Sequence, residues 1–432
     1  MITYAVVFAA VMLSVPENGA TPPLPTLPTV VERISDNVST GMIHGWHSNH
    51  LLKHKGVLYA DGRVDDPAAN NETSIGASPG NAWAWGGAFF RRTPDGQWEK
   101  VRSTLESTYL SLMAPDGRLW DVAPSSFDMA EVIRMTNPLD FSTFEVVYSG
   151  TCAYMGAGMS PEGNFLMLHA ESKDIAAFRP NAIISAFYDQ STGKWHKQRF
   201  VTPEGRYGYI GILLKGKRAL AVLNSAISDP KANPDFPHYS WRHVRVASCE
   251  DLTQDKWVNK GFLMPEYGAT SLQDFIEGPD GNGYLAYSYG EANTLDEWRK
   301  TPTHHYIARI THDLSAEVFP TTLNAGATRI LIDSKRNWYV LGRASDSELH
   351  LWAIDPTNGF KPTREYVLPG TKKLEGYVIH PLRPERFGGE DDGDTIHVVS
   401  ACYVDENGQP PAAGQKAHHA ELWHAQFSLP VE

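Results

Sequence analysis

Apolar and polar residues alternate in short stretches along nearly the whole chain, and tight-turn signals separate the stretches at close intervals. That period of two predicts β-strands joined in hairpins, not helices. From residue 44 to the C-terminus the hairpins fall into seven pairs, each an apolar inner hairpin followed by a more polar outer one. The inner hairpins are Leu51–Val64, Tyr109–Val122, Met155–His169, Tyr207–Asn224, Leu272–Tyr289, Arg329–Arg343 and Val378–Cys402. Their outer partners are Trp83–Val101, Ala130–Tyr148, Ala182–Val201, Trp241–Leu263, His305–Phe319, Glu348–Leu368 and Ala420–Leu429. Pro94-Asp95-Gly96, Pro115-Asp116-Gly117, Pro161-Glu162-Gly163 and Pro279-Asp280-Gly281 supply the turn chemistry, with Pro fixing one φ and Gly accepting a positive one. A lone pair of hairpins cannot bury its apolar face, whereas blades arranged radially cover one another. The pattern therefore predicts an all-β, seven-bladed β-propeller over residues 44–432. Closure of the ring is expected from residues before His44 or from the final strand, since an open ring leaves an unpaired edge.

Composition sharpens this picture. Aromatic residues make up 11% of the 432-residue chain and charged residues only 20%, which suits a large packed β domain. A formal charge of −12 argues against nucleic acid as a partner, because phosphate binding needs a basic face. Ala5 to Val15 is an apolar run of 11 residues, too short to span a bilayer and of the length of a signal-peptide core. Residues 1–20 are thus expected to be a signal peptide, 21–43 a Pro-rich linker with a lead-in strand, and the protein secreted, monomeric and free of any membrane partner. Asn37-Val38-Ser39 and Asn71-Glu72-Thr73 are glycosylation sequons if the route is eukaryotic. Three scattered cysteines, Cys152, Cys249 and Cys402, make neither a disulfide framework nor a zinc site and read as small buried residues, with one disulfide left open. Glu390-Asp391-Asp392-Gly393-Asp394 reads as a solvated hairpin tip. No cofactor is called for; a structural Ca2+ is left open, although the spacing of this acidic run departs from an EF-hand loop.

In a propeller the connections between hairpins and between blades emerge on one face, the usual binding face. On it the sequence places Gly45-Trp46-His47-Ser48-Asn49-His50 and the segment Asp61-Gly62-Arg63. Imidazole exchanges a proton near neutral pH, so His47, with His50 and Trp46 beside it, is the leading candidate for catalysis, and His169 and Tyr207 are the others. The alternative is that the histidines merely satisfy backbone groups where the strand begins. Arg63, Arg206, Arg329 and Arg343 at blade mouths would select a carboxylate if they converge, since guanidinium pairs with it bidentately. Tyr154, Tyr209, Glu171 and Gln273 complete the expected substrate contacts.

With those residues in view, the chain resembles secreted seven-bladed propeller enzymes with sialidase-like repeats that attack uronate-containing glycans. The group includes ulvan lyases, L-rhamnose-α-1,4-D-glucuronate lyases and α-L-rhamnosidases. The resemblance spans 44–432 and is carried by Gly45-Trp46-His47-Ser48-Asn49-His50 and by Leu272-Gln273-Asp274 through Pro279-Asp280-Gly281 to Tyr287-Ser288-Tyr289. It implies an essential histidine at His47, proton transfer by His47, His169 or Tyr207, and carboxylate binding by Arg63, Arg206 and Arg343. The chain departs from the group in lacking a pair of histidines that brackets one inner hairpin and any complete Asp-box. Three activities follow as expectations: a lyase cleaving a rhamnose-glucuronate linkage of an acidic polysaccharide by β-elimination, a hydrolase of the same linkage, and a glycan-binding propeller without catalysis.

Overall fold

The computed structural model describes residues 23–38, 46–64, 86–101, 110–124, 129–151, 155–171, 180–203, 205–227, 240–265, 268–291, 303–323, 325–374, 378–404 and 419–430. The leader, Asn71 of the second sequon and Cys152 lie outside them. The described residues form 28 strands, numbered β1 to β28 in chain order, in seven antiparallel sheets of four. Six sheets are four consecutive strands each: β2–β5 (51–101), β6–β9 (110–151), β10–β13 (156–202), β14–β17 (206–263), β18–β21 (269–321) and β22–β25 (326–368). The structure is a seven-bladed β-propeller, and the alternation of the sequence pairs as predicted. In the third blade, for example, β11 (Phe165–Ala170) is buried at every position while β13 (Lys194–Thr202) alternates exposed and buried. Apolar residues on the faces of neighbouring blades pack into continuous clusters, such as Leu110, Leu112, Trp120 and Val122 of the second blade with Ala157, Met159 and Phe165 of the third.

The seventh sheet joins the two ends of the chain, in the order β1 (Thr29–Val38), β28 (His419–Ser428), β27 (Thr395–Val404), β26 (His380–Pro381). The lead-in strand is thus the outermost strand of the last blade, and the final strand lies inside it. Register runs from Thr29 opposite Phe427 to Val38 opposite Ala420. Before β1, Leu27 N–H donates to Val367 O (3.0 Å) and Val367 N–H to Pro25 O (2.9 Å), which ties the same segment to the sixth blade. Glu32 of β1 then reaches the first blade: its carboxylate accepts from Arg92 Nε (2.8 Å), Trp98 Nε1 (3.0 Å) and, within the seventh blade, His424 Nδ1 (2.8 Å).

The inner strands crowd the axis. A Cβ on Gly156 of β10 (Gly156–Met159) would lie 2.0 Å from Ile210 O of the next blade, so only glycine fits there. Between β26 and β27 the chain makes a short helix, α1 (Pro384–Phe387), whose flanks reach across the channel. Arg383 donates to Ile330 O (2.7 Å) of the sixth blade and pairs with Asp274 of the fifth, and a Cβ on Gly388 would meet Met113 O of the second blade at 2.2 Å. The helix plugs the channel toward the hairpin-turn end.

One expectation is corrected. The acidic run is partly solvated but not a free tip: Glu390 accepts from the backbone of Lys55 (2.5 Å) and Gly56 (2.8 Å), Asp392 pairs with Lys53 and with His397 (2.5 Å), and Asp394 accepts from Ser334 N–H (2.7 Å). It fastens the seventh blade to the first and the sixth. Cys249 and Cys402 are both buried, as the sequence leads one to expect, and Cys249 is a free thiol.

The closure makes stability acid-sensitive. Burial alone would raise the Glu32 carboxyl, but hydrogen bonds from His424, Arg92 and Trp98 overcome it and hold it at about 2. Its contribution is therefore complete above about 4.5 and disappears as pH falls through about 2, and after solvent screening it is on the order of 2 kcal/mol. His397, pushed down to about 4 by burial, begins to cost stability as pH falls below about 6.5. Thermal melting against pH should thus decline in two limbs. Glu32→Gln should lower the melting temperature at neutral pH and flatten the limb below about 4.5; an unchanged lower limb would assign it to other carboxylates.

Candidate functional site

The first inner strand, β2 (Leu51–His54), is entered through Trp46–His50, and this segment is pinned to the second blade. Asn49 Nδ2 donates to Ser111 O (2.8 Å) and Ser111 N–H to Asn49 O (3.4 Å). The pinning turns His50 toward Asp61 of β3 (Val57–Val64), and His50 Nδ1 lies 2.5 Å from Asp61 Oδ1 with both side chains 1% exposed. Asp61 Oδ2 accepts from Ser111 Oγ, which lies 2.7 Å from Asp121 Oδ2. The single hydroxyl hydrogen serves one carboxylate at a time. A carboxylate on Nδ1 fixes the orientation of the ring and its tautomer. That other nitrogen, Nε2, is buried and has no hydrogen-bond partner.

A second imidazole faces the first. His380 of β26 packs edge to face on His50 with ring centroids 4.8 Å apart, and its Nδ1–H donates to Ser48 O (3.1 Å). Burial, together with His50 and Arg329 nearby, pushes its pKa well below 6.5, so the ring is neutral at pH 7 and Nε2 is a bare acceptor. His47, wholly buried, lies 4.9 Å from the ring of Tyr209. Tyr209 reaches it because β14 (Arg206–Lys215) breaks register between Gly208 and Gly211 and takes φ +46° at Tyr209. Such a bulge re-aims a side chain at the cost of local strain.

The structure therefore brings together Trp46, His47, His50 and Tyr209, and adds Asp61, Ser111, Asp121 and His380. The other sequence candidates lie elsewhere. His169 is the penultimate residue of β11, one strand out from the channel, with Nε2 3.2 Å from Tyr148 Oη and Nδ1–H donated to Ala170 O (3.2 Å). Tyr207 is a core residue with Arg245 Cζ 6.0 Å from its ring. Glu171 forms an exposed ion pair with Arg199 (2.9 Å) at the outer edge of the third blade. Gln273 joins blades, with Oε1 accepting from Thr328 N–H (2.7 Å) and Nε2 donating to Ser288 Oγ (3.2 Å). Arg329 is a strut whose Nε donates to Ile379 O (2.7 Å) and Nη1 to Thr328 O (2.8 Å), and Arg343 Nη2 donates to Leu374 O. These two arginines do not converge on an open pocket. Tyr154 and the side chains of Arg63 and Arg206 lie outside the described residues, as do the connections 39–45 and 65–85 that lead into and out of this site.

Asp61 and His380 stand next to the histidine motif or begin an inner hairpin, but the sequence carries no sign of which histidine receives the carboxylate. Among the described residues no group of three or more His, Cys, Asp or Glu side chains is placed to hold a metal ion, and no helix is long and apolar enough to cross a membrane. A cleft of about 430 Å³ on the opposite, hairpin-turn face is lined by Lys215, Arg218, Glu277 and Asp280. Its charged side chains are already engaged in ion pairs, Lys215 with Glu277 (3.0 Å), Arg218 with Glu250 (3.2 Å) and Asp280 with Arg309 (2.8 Å).

Compared with protein-family models and with curated proteins, the chain matches none. Among solved structures it is similar to the α-L-arabinofuranosidase of Fusarium graminearum (12% identity, 90% of this chain and 97% of that one, TM-score 0.44). It is also similar to an α-L-arabinanase of Penicillium chrysogenum (10% identity, 94% and 99%, TM-score 0.44). The WD40 domain of Toxoplasma gondii coronin is as similar (10% identity, 95% and 88%, TM-score 0.45).

The hydrogen-bond pattern makes a prediction independent of any activity. Nitrogen-detected NMR of the imidazoles should show His380 as the Nδ1–H tautomer with no titration step near 6.5, because burial opposes its protonation. A His380 resonance that titrates with a midpoint at or above 6.5 would place the ring in contact with solvent or an anion.

Proposed function

We propose that this protein is a secreted carbohydrate-active enzyme that cleaves a rhamnose-glucuronate type linkage in an acidic polysaccharide by β-elimination, with no cofactor. The observation that supports this reading is the His50–Asp61 pair: an imidazole held by a carboxylate, with a free Nε2 acceptor, beside the neutral His380. This is the arrangement a general base needs. In the proposed step His50 Nε2 takes the proton from C5 of the uronate and the electron pair forms the C4–C5 double bond. The C4–O bond breaks, and the leaving oxygen receives a proton from His47 or Tyr209, which stand together. Elimination requires that the C5 proton be acidified by neutralising the neighbouring carboxylate. The sequence assigns that task to Arg63 and Arg206, each on a strand that begins or ends at the connection face.

The test is product chemistry. Incubation with ulvan, gum arabic or arabinogalactan protein should generate an unsaturated uronate, read as rising near-ultraviolet absorbance. His50→Gln and Asp61→Asn should each lower that rate by about 100-fold or more, the low end of what loss of a general base costs, while the circular dichroism stays that of the parent. His47→Ala should slow the same step by a comparable factor. Free rhamnose without absorbance would replace elimination by hydrolysis of the same linkage, and glycan binding with no product would reduce the protein to a binding module.

A further inference from the structure

We propose that the central channel holds one small inorganic monoanion of the halide class, bound between Arg329, Arg383 and Arg386 where α1 crosses the axis. The inference does not depend on the enzymatic reading. Three guanidinium groups, from residues 2%, 8% and 1% exposed, meet around a single fully buried carboxylate, Asp274. That carboxylate is already occupied: Oδ2 accepts from Ile330 N–H (2.9 Å) and from Arg383, and Oδ1 accepts from Phe275 N–H (3.0 Å). Arg386 Nη1 stands 3.7 Å from Oδ1, beyond hydrogen-bond range.

Four buried nitrogens are left without an acceptor: Arg329 Nη2, Arg383 Nε, and Arg386 Nε and Nη2. Buried donors are almost always paired, and a guanidinium carries its charge at any physiological pH. The remaining carboxylate, Glu385, lies 3.8 Å from Arg383 Nη1 with its side chain 38% exposed, so it compensates the charge incompletely. Burial, opposed by Asp274, and mutual repulsion bring the pKa values of Arg329 and Arg386 down to about 10, the response of cations held together without enough negative charge. The neighbouring His380 is neutral and adds no anion. Aromatic faces take up part of the deficit, since Arg386 Cζ lies 5.5 Å from the Trp46 ring and 4.7 Å from that of Phe387, but they offer no acceptor to its free N–H groups. Water would satisfy the donors without supplying the missing charge. A halide does both, and as a sphere it accepts from several N–H groups without a preferred plane.

Thermal melting of the whole protein in sodium chloride, sodium bromide and sodium gluconate at equal ionic strength tests the proposal. Chloride and bromide should raise the melting temperature saturably by about 2 °C or more over gluconate, the signature of a ligand bound only by the folded state. Arg386→Met should abolish that difference. Crystals of the parent protein soaked in bromide should show an anomalous peak within reach of at least two of the three guanidinium groups, a readout that stands even if the variant does not fold. Equal melting in all three salts with no bromide peak in the channel would overturn the site, and so would an Arg386→Met protein that keeps the full halide effect.

Discussion

The whole molecule depends on one antiparallel pairing, β1 on β28, made between the two ends of the chain. Each blade of a propeller buries its faces only against its neighbours, so the ring has no stable open form. Here one stretch of fourteen residues, from Pro25 to Val38, engages the sixth blade through Val367, completes the seventh, and reaches the first through Glu32. The polar contact at Glu32 matters more than its size suggests, because Arg92 and Trp98 belong to the first blade and His424 to the last. The acidic run 390–394 repeats the arrangement at the hairpin-turn end, where Glu390 caps the turn of β2 and Asp394 caps a turn of the sixth blade.

Closing seven sheets around one axis brings their inner strands close together, and the channel then has to be filled. Gly156 lets neighbouring backbones approach, while α1 and its flanking arginines occupy the space that remains. The filling is polar. Arg383 spans Asp274 and Ile330 O, and Arg329 spans Ile379 O, Thr328 O and Gln273 O, so the fifth, sixth and seventh blades are bolted through guanidinium groups as well as by apolar contact. A charged plug of this kind specifies the position of α1, because any displacement would strand a buried cation.

The hairpins and their order were legible because period-two alternation and Pro-Asp-Gly turns are local signals. The ring followed from them by the need to cover apolar faces. What was not legible is whatever depends on a break in that period. Tyr207 and Tyr209 are two residues apart and should share a face, yet the bulge between Gly208 and Gly211 sends the first into the core and the second to His47. His47 and His50 look equivalent in the motif, and the contact of Asn49 with Ser111 is what gives the carboxylate to His50. Leu382 to Gly389 belongs to no repeat, so nothing marked Arg383 and Arg386 as channel residues. The acidic run was misread because net charge suggests solvent, whereas backbone N–H groups and lysine from adjoining blades were waiting for it.

The plug and the site are physically continuous. Arg386 lies over Trp46, and Trp46 is next in sequence to His47. Arg329 stands close enough to His380 to oppose its protonation, in the same direction as burial and the neighbouring His50. Burial and the cations beneath the floor therefore together keep that imidazole in its basic form at neutral pH. Under the proposed reaction, fixed guanidinium charge behind His380 keeps that ring free to accept a proton, a task the guanidinium groups themselves cannot perform.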